Sequence, residues 1–301
     1  MLNAEIILEK IPGLKLLGGE PMSRHTTFKV GGAARVFARP KNAEEIAALV
    51  EICRSGGEPY AVIGKGSNLL VSDEGYDGLI ICIGEDFSAV TVSGLEIEAQ
   101  AGASLIGVCA EAKRAGLTGL EFACGIPGSV GGAIYMNAGA YGGEIKDVVT
   151  SVTVMDGVGS IVQISADEMD FGYRRSRISD GGLIVLSAKF RLKEGDPEQI
   201  GSAMSELMKR RVEKQPVEYP SAGSTFKRPE GAFAGKLIED SGLRGYSVGG
   251  AQVSEKHCGF VINKGGATAS DIMALCEHIR KTVKDASGYE LEMEVKKLGK
   301  F

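Results

Sequence analysis

Apolar positions along this chain follow two patterns: helical spacing in a few long stretches, and short clustered or alternating runs in many others. Ile46, Leu49, Val50 and Cys53 share one helical face; Asn42 with Glu45 three positions on marks its start, and Gly56-Gly57 its end. The spacing predicts further helices over 104–115, 197–214 and 234–240. A last helix over 269–285 opens on Thr268-x-x-Asp271. In 197–214, Ile200, Ala203, Met204, Leu207 and Met208 fall on one face. Short strands are predicted at 60–63, 69–71, 78–83, 89–92, 95–100, 148–155, 160–165, 183–192, 259–263 and 291–298. In the last of these, Leu291, Met293 and Val295 alternate with Glu292, Glu294 and Lys296, the pattern of a half-buried strand with its charged face in water. Strands and helices mix without strict alternation, which predicts an α+β fold. No G-x-G-x-x-G follows the first strand, which argues against a Rossmann unit.

One segment fits neither pattern. Residues 124–143, CGIPGSVGGAIYMNAGAYGG, hold seven glycines and no charge. Glycine costs backbone entropy in helix and strand alike, so the run is expected to be irregular. Its value is a bare backbone against which a large, multiply phosphorylated ligand can lie. A second glycine-rich turn, Gly64-Lys65-Gly66-Ser67-Asn68, follows the apolar strand at 60–63. Alone it has the composition of a hairpin turn. Paired with 124–143 it reads as one of two walls around an extended dinucleotide, its backbone N–H groups suited to a pyrophosphate.

Composition narrows the class. The chain has 301 residues, 44% apolar and 24% charged, with a net charge of −5. That length allows two domains with their own cores. The acidic balance and the lack of a Lys/Arg stripe argue against nucleic acid. The N-terminus lacks the apolar run of a signal peptide, and no stretch reads as a membrane span, because glycines and Pro127 interrupt the one long uncharged run. The six cysteines show no C-x-x-C spacing, so they read as reduced structural thiols of a cytoplasmic protein, with no metal site. Nothing in the pattern demands more than a monomer.

Three further segments carry chemistry. Phe171-Gly172-Tyr173-Arg174-Arg175-Ser176 offers a ring, a phenol and a planar fork for a carboxylate, or else a surface turn with solvated arginines. In 220–229, small residues place the Ser224 hydroxyl on open backbone with no histidine beside it in sequence; His25, His257 and His278 are its candidate spatial partners. Proton donation suits Ser224 better than attack. The third is the last strand, where spacing alone does not separate Glu294 from Glu292.

Taken in order, these motifs resemble the UDP-N-acetylenolpyruvoylglucosamine reductase family. The likeness runs from His25-Thr26-Thr27-Phe28-x-Val30-Gly31-Gly32 through G-x-G-S-N-L-L at Gly64, GIPGSVGG at Gly125, NAGAYG at Asn137, Gly172-Tyr173-Arg174 and Ala222-Gly223-Ser224-x-Phe226-Lys227 to Leu291-Glu292-x-Glu294-Val295. The chain is similar to the compact type, without the additional segment that carries a substrate-closing tyrosine. The resemblance implies a vanillyl-alcohol-oxidase/PCMH-type FAD-binding domain of two subdomains plus a C-terminal α+β substrate domain. Its boundaries are an N-terminal segment over 1–29, the FAD-binding domain over 30–195 and the substrate domain over 196–301, the last strand returning to the active site.

The resemblance further implies that NADPH reduces a noncovalent FAD, which then reduces the enolpyruvyl ether of a UDP-sugar in cell-wall precursor synthesis. FAD contacts fall on Gly64, Lys65, Gly66, Ser67, Asn68, Gly125, Ile126, Pro127, Gly128, Ser129, Gly131, Gly132, Asn137, Gly139 and Ala140. Motif position gives Arg174 the substrate carboxylate, Ser224 the proton, and Glu294 a role in orienting a partner or stabilising the enolic form. Tyr173 is expected near the sugar or nicotinamide, and Lys214, Lys227 and Arg228 near the diphosphate. Two other readings remain open on the residues: a flavin oxidase of the same fold acting on an alcohol or hydroxy acid, and a non-catalytic flavin or nucleotide-sugar binder.

Overall fold

The Asn42 side chain accepts the Glu45 N–H at 2.8 Å, and Gly57 closes the helix Ala43–Gly56 with φ 62. This start and stop match the sequence pattern, and Ile46, Leu49, Val50 and Cys53 are all buried. The computed structural model describes residues 4–301; the first three residues of the predicted N-terminal segment lie outside the described residues. The chain folds as two compact units. The first takes the residues through Gly18, Val36–Lys65 and Gly78–Arg210; the second takes Gly19–Arg35, Gly66–Asp77 and Arg211–Phe301. Residues 19–35 and 66–77 thus group with the C-terminal third, whereas the resemblance implies a single boundary at 195/196.

Two sheets organise the N-terminal two thirds. A four-stranded sheet has the order Lys15–Pro21, Ala33–Arg39, Tyr76–Cys82, Tyr60–Ile63, the last two parallel. The first two strands carry no clear alternation and are absent from the sequence reading. A five-stranded antiparallel sheet has the order Ile161–Ser165, Val149–Asp156, Leu183–Arg191, Glu96–Gln100, Val90–Ser93. Val152, Val154, Ile97, Ala99 and Phe190 enter one core with Leu105, Val108 and Ile134 from the helices Leu105–Arg114 and Val130–Met136.

The helix Val130–Met136 corrects the expectation that 124–143 is irregular throughout. Ser129 caps it, accepting the Gly132 N–H at 3.4 Å, and Asn137 ends it with φ 40. Gly131 is used for close approach, since a Cβ there would stand 3.1 Å from the Ala101 Cβ. Tertiary proximity overrides the entropy cost of glycine in this turn of helix.

In the second unit, the helix Ala269–Ser287 opens on a full capping box between Thr268 and Asp271. It packs Ile272, Leu275, Ile279 and Val283 into a second core with Phe28, Leu70, Phe226 and Leu291. The predicted strand at 291–298 needs correction. Only Lys296–Leu298 is a strand, parallel to Leu69–Val71, because only there is a neighbour held in continuous register. Before it, Met293 meets Phe226 through an isolated bridge. The charged face is also not uniformly wet: Glu292 is exposed, whereas Glu294 is 9% exposed.

All six cysteines are buried, and none is in a disulfide. Burial pushes the thiols of Cys109 and Cys276 up to about 12 and that of Cys82 to about 11, so they act as small apolar side chains.

Candidate active site

The glycine loops meet at one point in the first unit. A Cβ on Gly64 would lie 2.1 Å from the Ser129 Oγ, so the backbone that ends the strand Tyr60–Ile63 runs directly against the start of the helix Val130–Met136. Ser129 also bridges Ser104, and the Gly128 carbonyl accepts the Leu105 N–H at 3.0 Å. The Ser104 hydroxyl sits at a helix start without capping it. It accepts from Lys65 Nζ at 2.9 Å instead, beside a cavity of about 360 Å³ that Lys65, Ser104, Gly107 and Arg114 help to line. Within the GIPG segment, Ile126 and Gly125 are half-buried and Pro127 is exposed.

A second corner of the same unit holds Arg174. Gly172 and Arg175 exchange backbone hydrogen bonds at 3.0 and 3.2 Å, and Arg174 at the tip of this turn has φ 55. Its guanidinium donates to the Gly139 carbonyl at 3.3 Å and lies 5.1 Å from the centre of the Tyr173 ring, which is 49% exposed. Gly139 and Ala140 form a tight hairpin with Gly143 and Glu144. Gly139 admits no side chain, since a Cβ would stand 2.8 Å from the Gly143 carbonyl. Asn137, read from the sequence as a cofactor contact, is 0% exposed. Its amide is committed to Glu144 at 3.1 Å and to the Gly172 carbonyl at 3.0 Å, and its oxygen to the Lys146 N–H at 3.0 Å.

In the second unit, Gly66 has φ 60, and a Cβ there would collide with the His25 carbonyl at 1.9 Å. The Gly66 carbonyl accepts the Thr27 N–H at 3.3 Å. Ser67 and Asn68 follow, both half-buried. Asn68 Nδ2 donates to the Glu294 carbonyl at 3.1 Å, and the Asn68 carbonyl accepts the Lys296 N–H at 2.9 Å. The Glu294 N–H in turn donates to the Thr225 carbonyl at 2.9 Å, so Ser224 and Glu294 stand on adjoining segments. Thr225 is rigidly held: it is fully buried, its N–H donates to the Gly259 carbonyl at 2.9 Å, and its hydroxyl accepts the Val261 N–H at 3.0 Å. Ser224 beside it is exposed.

The other predicted contacts are engaged or exposed. Lys227 Nζ pairs with Glu292 at 2.5 Å, the Arg228 guanidinium lies 3.8 Å from the Phe233 ring centre, and Lys214 is exposed at the end of the helix Pro197–Lys214. Of the histidines, His25 bonds Glu20 at 2.9 Å and His278 stacks on Tyr246. The His257 Nδ1 accepts the Gly259 N–H at 3.1 Å, and burial lowers the ring's pKa.

The profile of a family described as "FAD binding domain" matches residues 34–165, and that of "UDP-N-acetylenolpyruvoylglucosamine reductase, C-terminal domain" matches 215–298. A protein of Agathobacter rectalis named UDP-N-acetylenolpyruvoylglucosamine reductase is 53% identical over 98% of both chains. The chain belongs to the UDP-N-acetylenolpyruvoylglucosamine reductase family. A reductase of the same name from Clostridium botulinum is 50% identical over 93% of this chain and 91% of its own. The crystal structure of the Thermus caldophilus reductase superposes with a TM-score of 0.82 at 36% identity, covering 95% of this chain and 99% of that one. A Bermuda grass isoallergen, 19% identical, shares the fold alone over 65% of this chain and 45% of its own length, with a TM-score of 0.51.

The FAD-binding match spans Gly64 to Ala140, both glycine loops included. The residues there fit such a group: the two loops run backbone to side chain with no Cβ between them, and a lysine stands beside them. Glu144 is absent from the motif reading. The one sequence signal for it is a lone carboxylate ending an otherwise uncharged run.

Proposed function

We propose that this chain reduces UDP-N-acetyl-3-O-(1-carboxyvinyl)glucosamine to UDP-N-acetylmuramate, using NADPH and noncovalent FAD, as a step of peptidoglycan precursor synthesis. One observation carries the reading: an FAD-binding domain and the reductase C-terminal domain share a chain that is 53% identical to a reductase of that name along its length. The family also favours this activity over a flavin oxidase or a pure binder.

Gly64, Lys65, Ser129 and the GIPG backbone are assigned to holding the dinucleotide, with Gly66, Ser67, Asn68, Gly131, Gly132, Gly139 and Ala140 completing the set. When bound, the flavin supplies a hydride equivalent to the methylene of the enolpyruvyl group. Negative charge then develops on the substrate carboxylate. Arg174 is assigned to that carboxylate, where a fixed guanidinium stabilises charge as it appears. Ser224 is assigned as the proton donor to the α-carbon, completing the addition of one hydride and one proton across the double bond; the serine is reprotonated from solvent. Glu294, buried on the segment adjoining Ser224, is assigned to the enolic form. Tyr173 is assigned to the sugar or nicotinamide, and Lys214, Lys227 and Arg228 to the diphosphate, since Lys and Arg suit phosphate. Six cysteines outside any disulfide support a reducing cytoplasmic location.

The test is anaerobic. NADPH should bleach the yellow protein, and enolpyruvyl-UDP-N-acetylglucosamine should restore the oxidised flavin band. A flavin that NADPH does not reduce, or that only oxygen reoxidises, overturns the reading.

A further inference from the structure

Among the described residues, five non-glycine residues adopt positive φ, and four of them, Asn137, Tyr141, Asp170 and Arg174, lie between positions 137 and 174. Such backbone is uncommon outside glycine, least so for Asn and Asp, and at Arg174 it persists because the surroundings enforce it. Here Asn137 does the enforcing. Both its amide hydrogens and its oxygen are committed, which ties the hairpin Gly139–Glu144 to the Gly172 carbonyl at the base of the Arg174 turn. The Arg174 guanidinium reaches back to the Gly139 carbonyl, and Gly139 is the register partner of Glu144. Arg174 is therefore fastened at both ends, its main chain through Gly172 and its head through the hairpin. The Glu144 carboxylate, itself held by Lys146 Nζ at 2.8 Å, stands across the hairpin from the Gly139 carbonyl that this head meets, and the Arg174 charge is among the causes that hold its pKa down.

We infer that Asn137 and Glu144 are positioning residues for Arg174. Asn137 holds the strained turn, and Glu144 aims the guanidinium without occupying it, since its ion pair is with Lys146. This rests on the role proposed above for Arg174. It explains why the Asn137 side chain faces inward inside a loop whose composition suggests a ligand cradle.

The experiment is a double-mutant cycle on the flavin-loaded enzyme, read as kcat and KM for the enolpyruvyl substrate, with flavin content and melting temperature alongside. Glu144→Gln keeps an acceptor for Asn137 and removes the charge, and with it the Lys146 ion pair. It should lower kcat about tenfold with KM changed by less than about threefold, at unchanged flavin content. In an Arg174→Lys background the same change should cost less than about twofold, because the planar fork held at the Gly139 carbonyl, the group being aimed, is gone. Asn137→Gly, which tolerates φ 40, should behave likewise and provides a second route if Glu144→Gln folds poorly. Fully additive losses, or a Glu144→Gln enzyme at wild-type rate, overturn the positioning role. An Arg174→Lys enzyme at wild-type rate instead overturns the role of Arg174, and the inference with it.

Discussion

Asn68 donates its side-chain amide to the main-chain carbonyl of Glu294 at 3.1 Å, joining positions 226 residues apart. The bond links the end of the first glycine-rich turn to the buried glutamate of the last segment. It is reinforced by the Lys296 N–H on the Asn68 carbonyl and by the parallel pairing of Lys296–Leu298 with Leu69–Val71. One asparagine thus serves two loops that the sequence presents as separate motifs.

Replacing Asn68 by Ala should therefore affect both stability and chemistry. Loss of one hydrogen bond from a half-buried amide is expected to cost about 1 kcal/mol, read by chemical denaturation. Substrate-driven flavin reoxidation should slow as the Glu294 segment loosens. A variant with native stability and native reoxidation would show that the bond is incidental.

Ser224→Ala should separate the two half-reactions. Bleaching by NADPH should remain near the wild-type rate, whereas reoxidation by the enolpyruvyl substrate should fall by about 100-fold or more, the usual scale for loss of a general acid. Stopped-flow absorbance of the flavin reads both phases. Equal slowing of the two would indicate a binding role.

Gly64→Ala and Gly66→Ala should differ in severity. At Gly64 the new methyl meets the Ser129 hydroxyl, a side chain, at 2.1 Å. Overpacking there is expected to cost about 1–3 kcal/mol and to weaken flavin retention. At Gly66 it meets the His25 carbonyl at 1.9 Å with φ 60, so backbone must move. That variant should be the less stable of the two and the poorer in flavin, by melting temperature and by the flavin-to-protein absorbance ratio.

Asp73→Asn should reveal a pH-dependent helix clamp. The Asp73 carboxylate accepts the Ala269 and Ser270 N–H groups at 2.7 and 2.8 Å and the Ser270 hydroxyl at 2.6 Å, at the start of the helix Ala269–Ser287. Partial burial raises its pKa, but the hydrogen bonds from Ser270 and Ala269 outweigh that and leave it below the usual aspartate value. The folded pKa lies below the unfolded one, so the stabilisation is complete above the unfolded value and is lost as pH falls through the folded one. For a water-facing carboxylate the loss should be about 0.5–1 kcal/mol near pH 7 and should narrow below about pH 4. A melting-temperature gap independent of pH would remove the clamp.

Short-range features were legible because their partners lie within a few residues. Asn42 with Glu45, Thr268 with Asp271, and the glycine stop at Gly57 are each satisfied by the nearest backbone groups. The glycine loops were legible as composition, and their identity as motifs. The helix Val130–Met136 was not, because its glycine is held by contact with Ala101 on another segment. The inward turn of Asn137 was hidden for the same reason, since Gly172 lies 35 positions away. The burial of Glu294 defeats an alternation pattern that marks it as solvated.

Residue order was enough for the local grammar of this protein: helix starts and stops, most strands, two bare-backbone loops and a set of motifs naming a family. Those depend on covalent neighbours and on residue type, which a linear reading contains. Three relationships appear only in the fold: 19–35 and 66–77 group with the C-terminal third, the Glu294 N–H meets the carbonyl of Thr225 next to Ser224, and the Asn137 amide reaches the Gly172 carbonyl at the base of the Arg174 turn. Those relationships are set by which distant backbone groups and side chains satisfy one another once apolar surface is buried, and sequence separation carries no record of that choice.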